Sequence, residues 1–268
     1  MPTVNAGIPV LTAEEARAKD AAAARQGIDP AWLMEVAGAK AAMAIERVVP
    51  EGPVVVVVGP GHNGGDGLVV ARYLARQRDT RVVLLRGVPH FPGADRLVAA
   101  ARAYGAEILP ESDLKAALAS AAVVVDAVLG IGLAGPLREW AAQALTLMAG
   151  PGRFRVALDI VSGVDSDRGE CWGPEGWAVD LTITFGALKW GHLCYPGAQA
   201  AGQLWVADIG LPAGPEGAGA WMRPPQWYRQ ALPVWAGDAH KYRRGRVVVI
   251  GGSRAMPGAP VLAAEAAL

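Results

Sequence analysis

The chain has 268 residues, 52% of them hydrophobic, enough for one large domain with an ample core and part of a second. Its 25 basic residues balance 25 acidic ones, so no long-range field favours nucleic acid or an anionic membrane surface, and any phosphate has to be held locally. The apolar stretches 53–58 and 116–125 are too short or too polar for a bilayer span, and residues 1–11 lack the basic start and apolar core of a secretory signal. The expectation is a soluble cytoplasmic protein with no membrane or nucleic acid partner.

Thr12 and Glu15 form a capping box before an Ala-rich run, and Asp29 followed by Pro30 opens a second helix toward Val49, both ahead of any predicted strand. From Pro53 onward, short β-branched runs alternate with helical stretches, the pattern of a parallel sheet covered on both faces. The predicted strands are 54–58, 82–85, 107–109, 123–126, 155–159, 181–185 and 204–206. The predicted helices between them are 68–78, 94–104 with Gly105 as stop, 113–119 and 137–149. The fold class is α/β, a Rossmann-like, doubly wound, mostly parallel sheet in three αβα layers. Composition then shifts: 211–219 is mostly Gly, Pro and Ala, and Arg223-Pro224-Pro225 follows. The division read from this is a first domain over 1–211, a Gly/Pro-rich linker over 212–239 and a fragment over 240–268 with a strand at 246–250, a turn at Gly251-Gly252-Ser253 and a helix at 259–268.

In an open α/β sheet, ligands bind beyond the carboxyl ends of the strands. The first such place reads GPGHNGGDG over 59–67, five glycines in nine residues between a strand and a helix, and its backbone N–H groups can approach a phosphate closely. It matches neither the Walker pattern nor a full G-x-G-x-x-G fingerprint. Asn63 and Asp66 mark it as more than a turn. Asp126 closes the 123–126 strand before a glycine-rich run, and Asp159 closes 155–159 ahead of Ser162, Gly163 and Asp165. Either aspartate alone would serve as a cap; two at equivalent strand ends, beside a third polar loop, point to a site. Asn63, Asp126 and Ser162 offer only hard oxygen donors, which suit an alkali or alkaline-earth cation rather than zinc. Lys189 follows the 181–185 strand, where a substrate or phosphate contact and a solvated surface charge are both consistent with its position. Cys171 and Cys194 belong to no C-x-x-C pair and read as unpaired thiols; His192 is near Cys194 in sequence, but chain neighbours need not face each other.

Four motifs in order, GPGHNGGDG at Gly59, DAVLGIGLAG at Asp126, ALDIVSGVDSDRG at Ala157 and TFGALKWGH at Thr184, resemble the motif series of NAD(P)H-hydrate epimerases across the span from Leu11 to Leu211. The resemblance implies that His62, Asn63, Gly64, Gly65 and Asp66 bind substrate and that Asn63, Asp126 and Ser162 ligate a potassium ion. It also makes Gly130, Ile131, Gly132, Leu133, Ala134, Gly135 and Pro136 a second substrate loop and Asp159 a substrate-contacting aspartate. The chain departs from the family at His62, where Asn is usual, and at Val161, where Pro is usual. His62 keeps a hydrogen-bonding side chain that can carry charge, and Val161 leaves the loop before Ser162 less rigid.

The implied activity is isomerisation of the R and S forms of hydrated NADH or NADPH, a nicotinamide-nucleotide repair step, by a homodimer. Inverting the hydroxyl-bearing ring carbon requires its C–O or C–N bond to open and re-form with proton transfers. Asp159 is the first choice of acid/base and Asp126 the second, because a cation would keep Asp126 ionised, while Lys189 balances substrate charge. The tail HKYRRGRVVVIGGSRAMPGAPVLAAEAAL resembles the opening of the ADP-dependent NAD(P)H-hydrate dehydratase, a lyase; only its first strand and helix are expected, so that activity is expected to be absent. The competing reading is a non-catalytic dimerisation scaffold of the same fold.

Overall fold

The computed structural model describes residues 7–133, 135–211, 219–223, 225–231, 246–253 and 257–267, in two compact units. The larger, Gly7–Met222, holds strands β1 (Ile8–Leu11), β2 (Val54–Val58), β3 (Thr80–Leu84), β4 (Glu107–Pro110), β5 (Val123–Ala127), β6 (Phe154–Leu158), β7 (Leu181–Phe185), β8 (Leu188–Lys189), β9 (Gln203–Ala207) and β10 (Ala220–Met222). Its helices are α1 (Ala13–Arg25), α2 (Pro30–Val48), α3 (His62–Leu74), α4 (Ala94–Ala103), α5 (Leu114–Ala119), α6 (Glu139–Met148) and α7 (Gly197–Ala200). Seven strands form one all-parallel sheet in the order β4-β3-β2-β5-β6-β7-β9.

The valine run of β2 is buried on both sides, which is why it reads as continuous rather than alternating. Val54, Val56 and Val58 pack with Ile45 of α2 and with Leu68 and Leu74 of α3 on one face. Val55 and Val57 pack with Leu118 of α5 and with Leu145 and Met148 of α6 on the other. This pattern is the doubly wound, three-layer arrangement expected from the sequence. Chain order reverses between β2 and β5, so the loops leaving their carboxyl ends part and open a crevice at the topological switch point.

Three features differ from the sequence reading. A strand, β1, precedes the helices, pairing antiparallel with β10 and parallel with β8 in a small second sheet. So short a strand, interrupted by Pro9, carries no local signal, because its partners lie far along the chain. Helix α3 begins at His62 rather than at 68, so most of the glycine-rich stretch is helical. Glycine's low helix propensity hides that start, which is set by packing: a Cβ on Gly64 would lie 2.1 Å from the Gly59 carbonyl oxygen. Finally, residues 246–250 hold no strand.

The capping signals hold. Thr12 and Glu15 close a capping box on α1, and the Asp29 side chain accepts from the Ala31 N–H ahead of Pro30 in α2. In the second unit, described between 223 and 267, α8 (Pro225–Ala231) and α9 (Gly258–Ala266) are helical. Most of the proposed linker, and part of the fragment after it, lie outside the described residues.

Candidate functional site

A cavity of about 880 Å³, the size of a small-molecule site, lies at the crevice between the β2 and β5 loops. His62, Asn63 and Asp66 of α3 line it, as do Gly130, Ile131, Gly132, Leu133 and Pro136 of the loop after β5, together with Asp159 and Lys189. Gly135 lines a neighbouring depression, and Ala134 lies outside the described residues. Gly64 and Gly65 are buried beneath the wall; a Cβ on Gly65 would lie 2.7 Å from both Met34 and Phe91. The His62 ring stacks on Phe91 with centroids 4.8 Å apart.

Asp126 and Ser162 are both 1% exposed and sit behind this wall. Ser162 Oγ donates to Asp126 Oδ1 at 2.6 Å and accepts from the Leu129 N–H at 2.8 Å, while the Ser162 N–H donates to Asp126 Oδ2 at 2.8 Å. The Val128 N–H adds a 3.1 Å bond to Asp126 Oδ1. Burial pushes the Asp126 carboxyl up to about 6, and the bonds from Ser162 and Val128 offset part of that rise. Asn63 Nδ2 donates to the Leu129 carbonyl at 2.9 Å, yet Asn63 Oδ1 is buried with no hydrogen-bond partner. An orphaned buried acceptor is rare and invites a cation. Trp177 supports this corner from outside, donating from Nε1 to the Ser162 carbonyl at 2.9 Å. No local pattern marks Trp177 for this role.

Asp159 follows β6 with a backbone φ of 63°, the left-handed region that a non-glycine residue occupies only when its surroundings insist. Its N–H donates to the Ile183 carbonyl at 2.8 Å. Lys189, 3% exposed, donates from Nζ to Asp159 Oδ1 and to Thr184 Oγ1, the latter at 2.9 Å. The surface-charge alternative for Lys189 is therefore excluded. Burial alone would push Asp159 up; the Lys189 ammonium and its hydrogen bond outweigh it, with smaller help from His192 and the Phe185 N–H, and hold the carboxyl below its usual range.

His192 is buried, and its ring nitrogens are both engaged: Nδ1 accepts from the Lys189 N–H at 3.0 Å and Nε2 faces the Asp159 carbonyl at 2.9 Å. It is a brace for the Asp159 turn rather than a partner for a thiol, and Cys171 and Cys194 are free. Burial, then Lys189, lower its pKa from 6.5 to about 4, with Asp159 partly opposing. Between these values the unfolded chain binds a proton that the folded chain does not. The stability contribution is therefore complete above about 6.5 and is lost as pH falls toward 4, up to about 3 kcal/mol. Urea unfolding measured across this window should show that slope, and His192→Gln should flatten it.

Four further cavity residues come from α1, Ala16, Arg17, Lys19 and Asp20, none of which carries a motif in the sequence. Arg17 reaches across to donate to the Ile131 carbonyl at 3.1 Å. α1 arrives here because β1 pairs with β8, placing Leu11 beside Lys189. The only local signal was the capping box that starts α1.

The family model described as YjeF-related protein N-terminus matches residues 30–191. The NAD(P)H-hydrate epimerase of Clavibacter michiganensis subsp. michiganensis is 39% identical over 214 residues, covering 76% of this chain and 93% of that protein. The bifunctional NAD(P)H-hydrate repair enzyme Nnr of Thermanaerovibrio acidaminovorans is 37% identical over 271 residues, 95% of this chain and 52% of the relative. The chain thus spans about half the length of the bifunctional relatives it matches. The crystal structure of yeast ynu0 superposes with a TM-score of 0.62 at 24% identity, over 69% of this chain and 83% of that one, and shares the fold. Among the described residues, no helix is long and apolar enough to cross a membrane.

Proposed function

Because the chain belongs to the family of YjeF-related protein N-termini, we propose that it is an isomerase that interconverts the R and S forms of hydrated NADH or NADPH. The observation that carries this reading is the cavity itself, where an ionised Asp159, fixed by Lys189, faces the first turn of α3. That helix starts at Gly61 without a side-chain cap, so its N–H groups and dipole can receive the diphosphate of a dinucleotide. The loop from Gly130 to Pro136 forms the opposite wall, and the nicotinamide end is directed to Asp159. A non-catalytic scaffold has no need of a strained aspartate and a buried ammonium opening on a cavity of this size.

Asp159 is the acid/base group. Asp126, which does not line the cavity and accepts from Ser162 and Val128, holds the loops rather than moving protons. The oxygens of Asn63, Asp126 and Ser162 fit a potassium ion, the unpartnered Asn63 Oδ1 most directly. Bound there, potassium would supply charge balance to Asp126 and fix the geometry of the two loops. We read the protein as cytoplasmic and homodimeric. Residues 240–268 are read as the start of a second, dehydratase-like domain, to which no activity of this chain is assigned.

The test is to incubate the protein with the pure R epimer of hydrated NADH and follow the epimer ratio by chromatography. A ratio that moves no faster than in buffer overturns the reading. For the cation, potassium chloride should raise the melting temperature above that in equal choline chloride, and Asn63→Ala should abolish the difference. An equal shift in both salts would remove potassium from the account.

A further inference from the structure

The cavity holds more carboxylates than a single base requires. Asp20 on α1, Asp66 on α3 and Asp159 after β6 all line it. Lys189 is committed to Asp159 and Thr184, while Arg17, Lys19, His62 and Arg138 are the other basic groups lining the cavity. Asp20 stands exposed at the rim, but Asp66 and Asp159 are partly enclosed on the same wall, and two carboxylates so placed cannot both remain ionised cheaply; one keeps a proton. The pairing with Lys189 selects Asp159 as the ionised member and leaves Asp66 as the protonated one.

We propose that Asp66 is the general acid of this site, working opposite Asp159 as general base. The inference rests on the epimerase reading above and assigns the proton that reading left unplaced. Enclosure in the cavity pushes the Asp66 carboxyl well above its usual range; Asp159 and, less strongly, Asp20 add to the rise, against a partial offset from Lys189. Asp20 is itself raised, by burial first and by Asp159, with Lys189 and Lys19 opposing. Two carboxyls whose surroundings push them apart make an acid and a base.

The step balances without a co-reactant. Asp159 takes the proton of the C6 hydroxyl while Asp66 gives its proton to ring nitrogen N1. The C6–N1 bond breaks, its electron pair stays on nitrogen, and C6 becomes an aldehyde carbon. Rotation about the C5–C6 bond presents the other carbonyl face to the nitrogen. As N1 attacks it, Asp66 recovers the N1 proton and Asp159 returns a proton to the oxygen. Each carboxyl ends in the protonation state in which it began, with the configuration at C6 inverted.

The test is the pH profile of kcat/KM for epimerisation of R hydrated NADH. The wild type should lose activity on the basic side, where Asp66 gives up its proton. Asp66→Asn should fall by about a hundredfold and lose that basic limb. Asp66→Glu, which restores the acid on a longer arm, should regain part of the rate together with a displaced basic limb, and it keeps the test decisive if the Asn variant folds poorly. Substrate labelled with oxygen-18 at the C6 hydroxyl should retain the label through turnover. An Asp66→Asn enzyme with wild-type rate and an unchanged basic limb, or loss of label at every turnover, would overturn the proposal while leaving the epimerase reading intact. A wild-type protein that does not epimerise at all overturns that reading instead.

Discussion

Asp159→Asn should lower epimerisation by a factor on the order of a hundred or more, the usual loss when a general base is removed. The same change should destabilise the protein, because Lys189 would keep its charge in a buried pocket with Thr184 and backbone carbonyls as its remaining partners. Removing one member of a buried ion pair costs about 3–5 kcal/mol, since the remaining charge is desolvated without compensation. Loss of activity and loss of stability therefore arrive together and need separating. Adding Lys189→Met to Asp159→Asn removes the uncompensated charge and should recover much of the melting temperature with no recovery of rate. Wild-type turnover in Asp159→Asn, measured as epimer interconversion, would end the assignment of Asp159 as base.

Gly59→Ala should be among the most damaging single changes to the fold. A Cβ at this position would lie 1.8 Å from the Val128 carbonyl oxygen, a backbone atom that cannot swing aside as a side chain can. Relief requires the carboxyl ends of β2 and β5 to separate, with loss of the 3.0 Å bond from the Gly59 N–H to the Ala127 carbonyl. Leu129 would move with them, and its carbonyl and N–H hold Asn63 and Ser162. We expect a cost of about 3 kcal/mol or more from overpacking against backbone. Gly61→Ala is the control in the same loop: nothing lies within 4 Å of its Cβ, so the loss should be about 1 kcal/mol or less, from the poorer N-cap. Equal melting temperatures for the two variants would contradict this account of the loop.

The sheet was legible because its determinants are local. Runs such as Val54–Val58 and Leu181–Phe185 are strands buried on both faces, and their boundaries in the structure match those read from hydrophobic pattern alone. Strand-end position marked Asp126 and Asp159, because the carboxyl edge of a parallel sheet is where ligands bind. Oxygen-donor chemistry grouped Asn63, Asp126 and Ser162 before any geometry was known, and the fold brings Asp126 into direct contact with Ser162 and joins Asn63 to them through Leu129.

What the tertiary structure decided are properties that arise only between segments far apart in the chain. The sequence left Lys189 open between surface charge and site residue; the fold buries it against Asp159, 30 positions away. Asp20 carries no motif, and its place in the cavity follows from β1 lying between β8 and β10, a pairing across nearly the whole unit. The glycines at 64 and 65 read as phosphate-loop residues, yet their need for hydrogen in place of Cβ is set by the Gly59 carbonyl and by Met34 and Phe91. Protonation is the clearest case. Residue type fixes that Asp66, Asp126 and Asp159 are acids, but which of them is neutral depends on desolvation and on the distance to other charges, and these exist only once the chain has folded.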